Sequence, residues 1–198
     1  MTALARLAEA DEALQAQGTL PVGLGDLAPV VAGTVEALAP GDWWVPGPRE
    51  RAGAVLRGVA IERLGDGLDG ARPYRVAPVS TAPALRALHA VGLAVGQPDG
   101  AAVVHLGVGA LADGALAEAF TLAALHGARV VFVLAWRPLD GAPVAVQSAA
   151  DPVALAQLHG VRTVEVDTPA LDAVRDAVAA ARAADGPTLV LVRFPRRT

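Results

Sequence analysis

Two runs of branched apolar residues, "AAVVHLGV" (101–108) and "RVVFVLAW" (129–136), limit what this chain can become. Neither alternates apolar with polar residues, so both read as strands buried on both faces, as in a parallel sheet. Residues 111–125 between them carry helical periodicity and close on His126-Gly127. The pattern then repeats. "DPVALAQLHG" reads as a helix with Asp151 as its N-cap and Pro152 at its first position. "VRTVEVD" is a third strand, "TPALDAVRDAVAAARAADG" a long helix opening at Thr168-Pro169, and "PTLVLVRF" a fourth strand. This alternation specifies an α/β fold, with a mostly parallel sheet flanked by helices and right-handed crossovers.

The first half is less regular. Residues 3–17 have helical spacing with Gly18 as C-cap, and residues 26–38 form a second helix ended by "APGD". Pro46 and Pro48 keep "WWVPGPRERAG" extended or turned, after which residues 50–57 return to helix. Residues 63–78, rich in Gly and Pro, read as a connecting loop, and the Ala-rich stretch 86–95 as a buried helix. The expected organisation is a single domain over 1–198, with an N-terminal helical segment (1–62) and an α/β core (101–198).

Composition removes several functions. The chain has no Cys, so thiolate nucleophiles, disulfides and Cys-bound zinc are excluded. All 16 basic residues are Arg, which excludes a P-loop Lys and a Schiff-base Lys. A net charge of −4 gives no reason to expect nucleic acid. No apolar run reaches the length of about 18 residues that a membrane span needs. The start, "MTALARLAEADEALQAQG", is unlike a signal or transit peptide, so a cytoplasmic protein is expected.

In such sheets ligands sit beyond the carboxyl ends of the strands, where a glycine turn feeds a helix N-terminus. Gly107-Val108-Gly109 and Gly114 fall there, although Ala112 breaks the dinucleotide G-x-G-x-x-G spacing. The turn is either a tight strand-to-helix connection or an anion cradle. Asp113 is a candidate displaced carboxylate, or else a charge favoured at a helix N-terminus. Of the four His, His89 reads as a packed helix residue and His105 as a hydrogen-bonded core residue. His126 and His159 end helices, and no H-x-x-x-H spacing marks a metal site. Ser80 and Ser148 lie outside any nucleophile elbow. Trp43-Trp44 is either an interface anchor or a cap on the core.

Taken in order, "ALAPGDWWV", "PRERAGAVLRGVAIERL", "LHAVGLA", "LADGALAEAFTLAALHG", "ARVVFVLA", "DPVALAQLHGVRTVEVD" and "GPTLVLV" resemble a shortened alpha subunit of the thiamine-diphosphate-dependent 2-oxoacid dehydrogenases. The resemblance implies a thiamine-diphosphate-binding (transketolase-like) fold, with the cofactor held between this subunit and a beta-type partner. In the family, the Asp of a Gly-Asp-Gly and a downstream Asn bind the Mg²⁺ that carries the diphosphate. The matching positions are Val108 and Trp136, neither with a side-chain oxygen, and the family's next Asn is Arg137. The chain contains no Asn, so no shifted alignment restores that ligand.

Of the family's Tyr-Arg-x-His only Arg49 remains, either as an anion ligand or as a solvated side chain. The Gly-rich segment before the pyrimidine site is "TAPA" (81–84), and the sequence closes at "RFPRRT" without the family's His-bearing loop. The resemblance thus implies a non-catalytic alpha-type subunit that pairs with a beta-type subunit, or self-associates through the same interface, with no cofactor expected. The alternative is an active 2-oxoacid decarboxylating subunit with an atypical site for thiamine diphosphate and Mg²⁺. A third reading makes 107–114 an anion or nucleotide sensor. In each case Arg49, Gly107, Val108, Gly109 and Trp136 are the positions of interest.

Overall fold

The computed structural model describes residues 1–18, 23–69, 71–137 and 151–195. Five parallel strands, β1 (Trp43–Val45), β2 (Ala102–Gly107), β3 (Val130–Trp136), β4 (Arg162–Val166) and β5 (Thr188–Arg193), form one sheet in the order β1-β2-β3-β5-β4. Six α-helices accompany them: α1 (Ala3–Ala16), α2 (Ala28–Glu36), α3 (Pro83–Gly96), α4 (Gly114–Leu125), α5 (Pro152–Leu158) and α6 (Leu171–Ala183).

Side chains alternate across the sheet with the strand period of two, which divides the core. Val103, Val131, Val133, Val190 and Val192 meet α1, α2 and α6 on one face. Val104, Leu106, Phe132, Leu134, Leu189 and Leu191 meet α3, α4 and α5 on the other. Both faces are covered, as the unbroken apolar runs require. The outer edge of β4 carries the exposed charges Arg162 and Glu165, which discourage pairing with another sheet.

Helix α2 approaches α6 through Gly33, where a Cβ would overlap the Leu171 carbonyl oxygen and come within 3.0 Å of the Arg175 nitrogen. These are backbone atoms and cannot swing aside. Gly33→Ala is expected to cost about 2 kcal/mol by forcing the helices apart, measurable by urea denaturation.

Four details differ from expectation. Residues 50–57 form a 3-10 helix, Glu50–Arg57, closed by Gly58 at φ 93°. Helix α6 starts at Leu171 rather than at Pro169, because Ala170 is still extended at ψ 138°. The 63–78 loop contains short 3-10 turns, and its Val76 makes one parallel bridge to Trp44. Segment 1–62 is not purely helical, since it supplies β1.

Asp42 ties these pieces together at the start of β1. The carboxylate is 2 % exposed and accepts from the Ala39 nitrogen (2.7 Å), the Ala101 nitrogen (2.9 Å) and Arg182 Nε (2.6 Å). It therefore fastens β1 to the entrance of β2 and to α6. No helix among the described residues is long and apolar enough to cross a membrane.

Candidate functional site

The parallel register brings the carboxyl ends of β2 and β3 side by side, with Gly107 opposite Ala135 and Trp136 opposite Arg193. The turn Gly107-Val108-Gly109 and Trp136 therefore share one edge of the sheet. Residues Val108–Ala112 form a 3-10 turn before α4, whose N-cap is Asp113, accepting from the Ala115 nitrogen at 3.0 Å. Asp113 is thus engaged in capping.

Packing among the described residues does not explain the glycines here. Gly107, Gly109 and Gly114 all lack positive φ, and a Cβ on any of them would meet nothing within 4 Å among the described residues.

Where the resemblance places oxygen ligands, the structure places other groups. Val108 is half-buried, and Trp136 packs on the core of the α3–α4 face. Arg137 forms a two-pronged ion pair with Asp26, and its guanidinium lies 4.5 Å from the centre of the Phe194 ring. A bidentate pair of this kind fixes the cation in place. Among the described residues, no three His, Asp or Glu side chains come close enough to hold a metal. The three matching positions thus offer a cation no side-chain oxygen, and the third carries a guanidinium paired with Asp26.

Arg49 lies just past β1, where Nη2 donates to the Gly23 carbonyl at 2.9 Å and to that of Leu24 at 3.4 Å. It clamps the segment before α2, and nothing in these contacts brings it to the glycine turn.

Between β1 and β2 lies a buried polar cluster that the apolar reading of 86–95 passed over. Arg86, 4 % exposed, donates to the carbonyls of Ser80 (2.5 Å) and His105 (3.2 Å). Its sequence signal was a single guanidinium in the first turns of an otherwise Ala-rich helix. Burial lowers the Arg86 pKa, and the Glu50 carboxylate raises it.

His105 is buried as expected, but its Nε2 has no hydrogen-bond partner, so it is not a satisfied core histidine. Burial pushes the imidazole down to about 4, against a pull upward from Glu50 and with a further push down from Arg86. Between pH 6.5 and about 4 the unfolded chain carries a proton on this ring and the folded chain does not. Stability is therefore lost as pH falls through that window, by about 3 kcal/mol in all. His105→Gln should flatten the urea midpoint against pH over that range, relative to the wild-type curve.

The other histidines and serines are ordinary. His89 is exposed rather than packed. His126 and His159 are the C-caps of α4 and α5, and His159 Nδ1 lies 2.9 Å from Thr121 Oγ1. Ser80 Oγ accepts from the Ala82 nitrogen, and Ser148 lies outside the described residues.

With this geometry in hand, the chain can be set beside known proteins. No family model matches it, and no curated protein does. Solved structures do. A transketolase from Campylobacter jejuni superimposes with a TM-score of 0.72 at 18 % identity, covering 96 % of this chain and 36 % of that one. A Pichia stipitis transketolase variant in complex with fructose 6-phosphate gives 0.71 at 20 % identity, with 96 % and 35 % covered. A Mycobacterium smegmatis protein described as a thiamin diphosphate-dependent enzyme gives 0.58 at 22 % identity, with 84 % and 31 % covered. The fold is that of the thiamine-diphosphate-dependent enzymes. This chain spans about a third of the length of these relatives in structure.

Proposed function

We propose that the chain is a diverged, non-catalytic alpha-type subunit of a 2-oxoacid dehydrogenase-like assembly, paired with a beta-type thiamine-enzyme subunit. The observation that carries this reading is the Arg137–Asp26 ion pair at the carboxyl edge of the sheet. It joins Val108 and Trp136 in filling the positions from which the family holds its metal. A diphosphate placed here without a cation would lose several kcal/mol of solvation, which a single Arg does not restore. Arg49, the remaining family-like cation, is occupied with backbone carbonyls.

The bare glycine turn supports the pairing half of the proposal. Gly107, Gly109 and Gly114 leave backbone open to close approach, although this chain brings nothing there among its described residues. A partner surface would account for that.

The same open turn supports the second reading, an active 2-oxoacid decarboxylating subunit that takes thiamine diphosphate in an atypical site. The two readings separate on purification of the tagged chain from its own host, followed by mass spectrometry and calorimetry with Mg²⁺ and thiamine diphosphate. The proposal expects a beta-type subunit in the eluate and no tight cofactor binding at this edge. Tight binding would sink the proposal, and thiamine-dependent decarboxylation by the complex, abolished in Arg49→Gln, would favour the enzyme instead. Recovery of the chain alone, as a homo-oligomer, would replace hetero-pairing by self-association.

A further inference from the structure

A second concave site lies at the opposite edge of the sheet, where β1 begins and α3 ends. The groove has a volume of about 610 Å³, within the range of small-molecule sites, and Trp43, Arg72, Arg75, Leu93, Gly92 and Gly96 line it. We propose that it binds a small organic phosphate ester, with the phosphate on Arg72 and Arg75 and the apolar body over Leu93 and the two glycines.

Arg75 is held in advance. Its guanidinium lies 5.4 Å from the centre of the Trp43 ring and donates to Gln97 Oε1. The same oxygen accepts from Trp43 Nε1 at 3.0 Å, while Gln97 Nε2 donates to the Gly41 carbonyl at 2.9 Å. Trp43, Gln97 and Arg75 thus come from three separate segments and fix one another. Only one nitrogen of the Arg75 fork is used by these bonds, which leaves further N–H donors for a ligand oxygen. Preorganisation of this kind lowers the entropy lost on binding.

The backbone gives a second sign. Arg75 sits at φ 56°, in the left-handed region that residues other than Gly, Asn and Asp adopt only at a cost. The surrounding contacts maintain that conformation and aim the side chain over Trp43.

Charge gives the third. Arg72 is exposed and makes no side-chain bond among the described residues, and no carboxylate there pairs with Arg72 or Arg75. Arg57 adds a positive charge close by, and its own pKa is lowered by burial and by Arg75, with Asp42 opposing. Two guanidinium groups thus line the groove, with a third behind Arg75, in a chain of net charge −4. An anion is what this arrangement attracts. Gly92 and Gly96 present open space along the helix, room for a flat apolar group.

The test is calorimetric titration of the full chain at low ionic strength with phenyl phosphate, inorganic phosphate and phenol. Saturable binding of phenyl phosphate is expected, with weaker binding of inorganic phosphate and none of phenol. Arg75→Asn, which tolerates the left-handed backbone, should weaken binding roughly tenfold. Arg72→Gln should do the same, and because that side chain is exposed and unbonded it keeps the test intact should Arg75→Asn unfold. Arg175→Gln, in an exposed ion pair on α6, should leave binding unchanged, and the result does not depend on the proposed subunit role. No saturable binding of phenyl phosphate, wild-type affinity in Arg72→Gln, or loss in Arg175→Gln would overturn the proposal. Equal affinity for inorganic phosphate would overturn the ester assignment.

Discussion

Asp42→Ala is expected to destabilise the fold by about 3–5 kcal/mol, among the largest single effects available in this chain. The substitution strips an acceptor from two backbone N–H groups, those of Ala39 and Ala101, and leaves the Arg182 guanidinium without its partner. Each orphaned buried donor costs about 1–3 kcal/mol when water cannot replace the lost bond. Asp42→Asn keeps one acceptor oxygen but loses the charge, so its cost should be smaller. Arg182→Ala in the Asp42→Ala background should cost less than the same change alone, because the two groups share one interaction. Urea denaturation of the wild type and these four variants measures all of this. A loss below about 1 kcal/mol for Asp42→Ala would show that the start of β1 is held some other way.

Trp44→Ala should be of similar size, about 3–5 kcal/mol, and Trp44→Phe much smaller. Trp44 is fully buried, its ring lies against Gly53 and Val31, and it meets the His105 ring edge-on at 5.9 Å. Truncation leaves a cavity that the crowded contacts at Gly53 cannot collapse into. Phenylalanine keeps most of the volume and removes an indole N–H that has no hydrogen-bond partner. Equal losses for the two variants would refute the cavity argument and make the indole nitrogen the important atom.

The second half of the fold was legible because β2 and β3 are buried on both faces, which writes solid apolar runs into the sequence. Their observed limits, Ala102–Gly107 and Val130–Trp136, lie within two residues of the runs read at 101–108 and 129–136. Strand β1 was hidden because three residues are too few to show any period, and its pairing to β2 spans nearly sixty positions. Helix α3 shows a different difficulty. Its core-facing apolar residues are four alanines, Ala84, Ala87, Ala90 and Ala94, with Val91, while Leu85 and Val95 are 47 % and 46 % exposed. Alanine allows a close approach to the sheet, so the buried stripe follows size rather than hydrophobicity. Arg86 goes inside with that stripe.

At the candidate site, Gly107 and Gly109 were placed from strand order, since any parallel α/β sheet gathers its strand ends, whereas Val108 and Trp136 were singled out only by the resemblance. The bond from Arg137 to Asp26 was not legible, because it joins residues 111 positions apart and no pattern in the sequence links them. Arg49 likewise reads as a free cation until the Gly23 and Leu24 carbonyls are seen beside it.

The sheet order also dictates timing during synthesis. Helices α1 and α2 come first in the chain, yet the surface they cover is made of Val131, Val133, Val174, Val178, Val190 and Val192. On the ribosome, the apolar run Val30–Val35 of α2 therefore waits for much of its covering surface until α6 and β5 have emerged. At roughly 5–20 residues added per second, that exposure lasts for many seconds. Slowing translation beyond residue 100 should therefore lower its soluble yield.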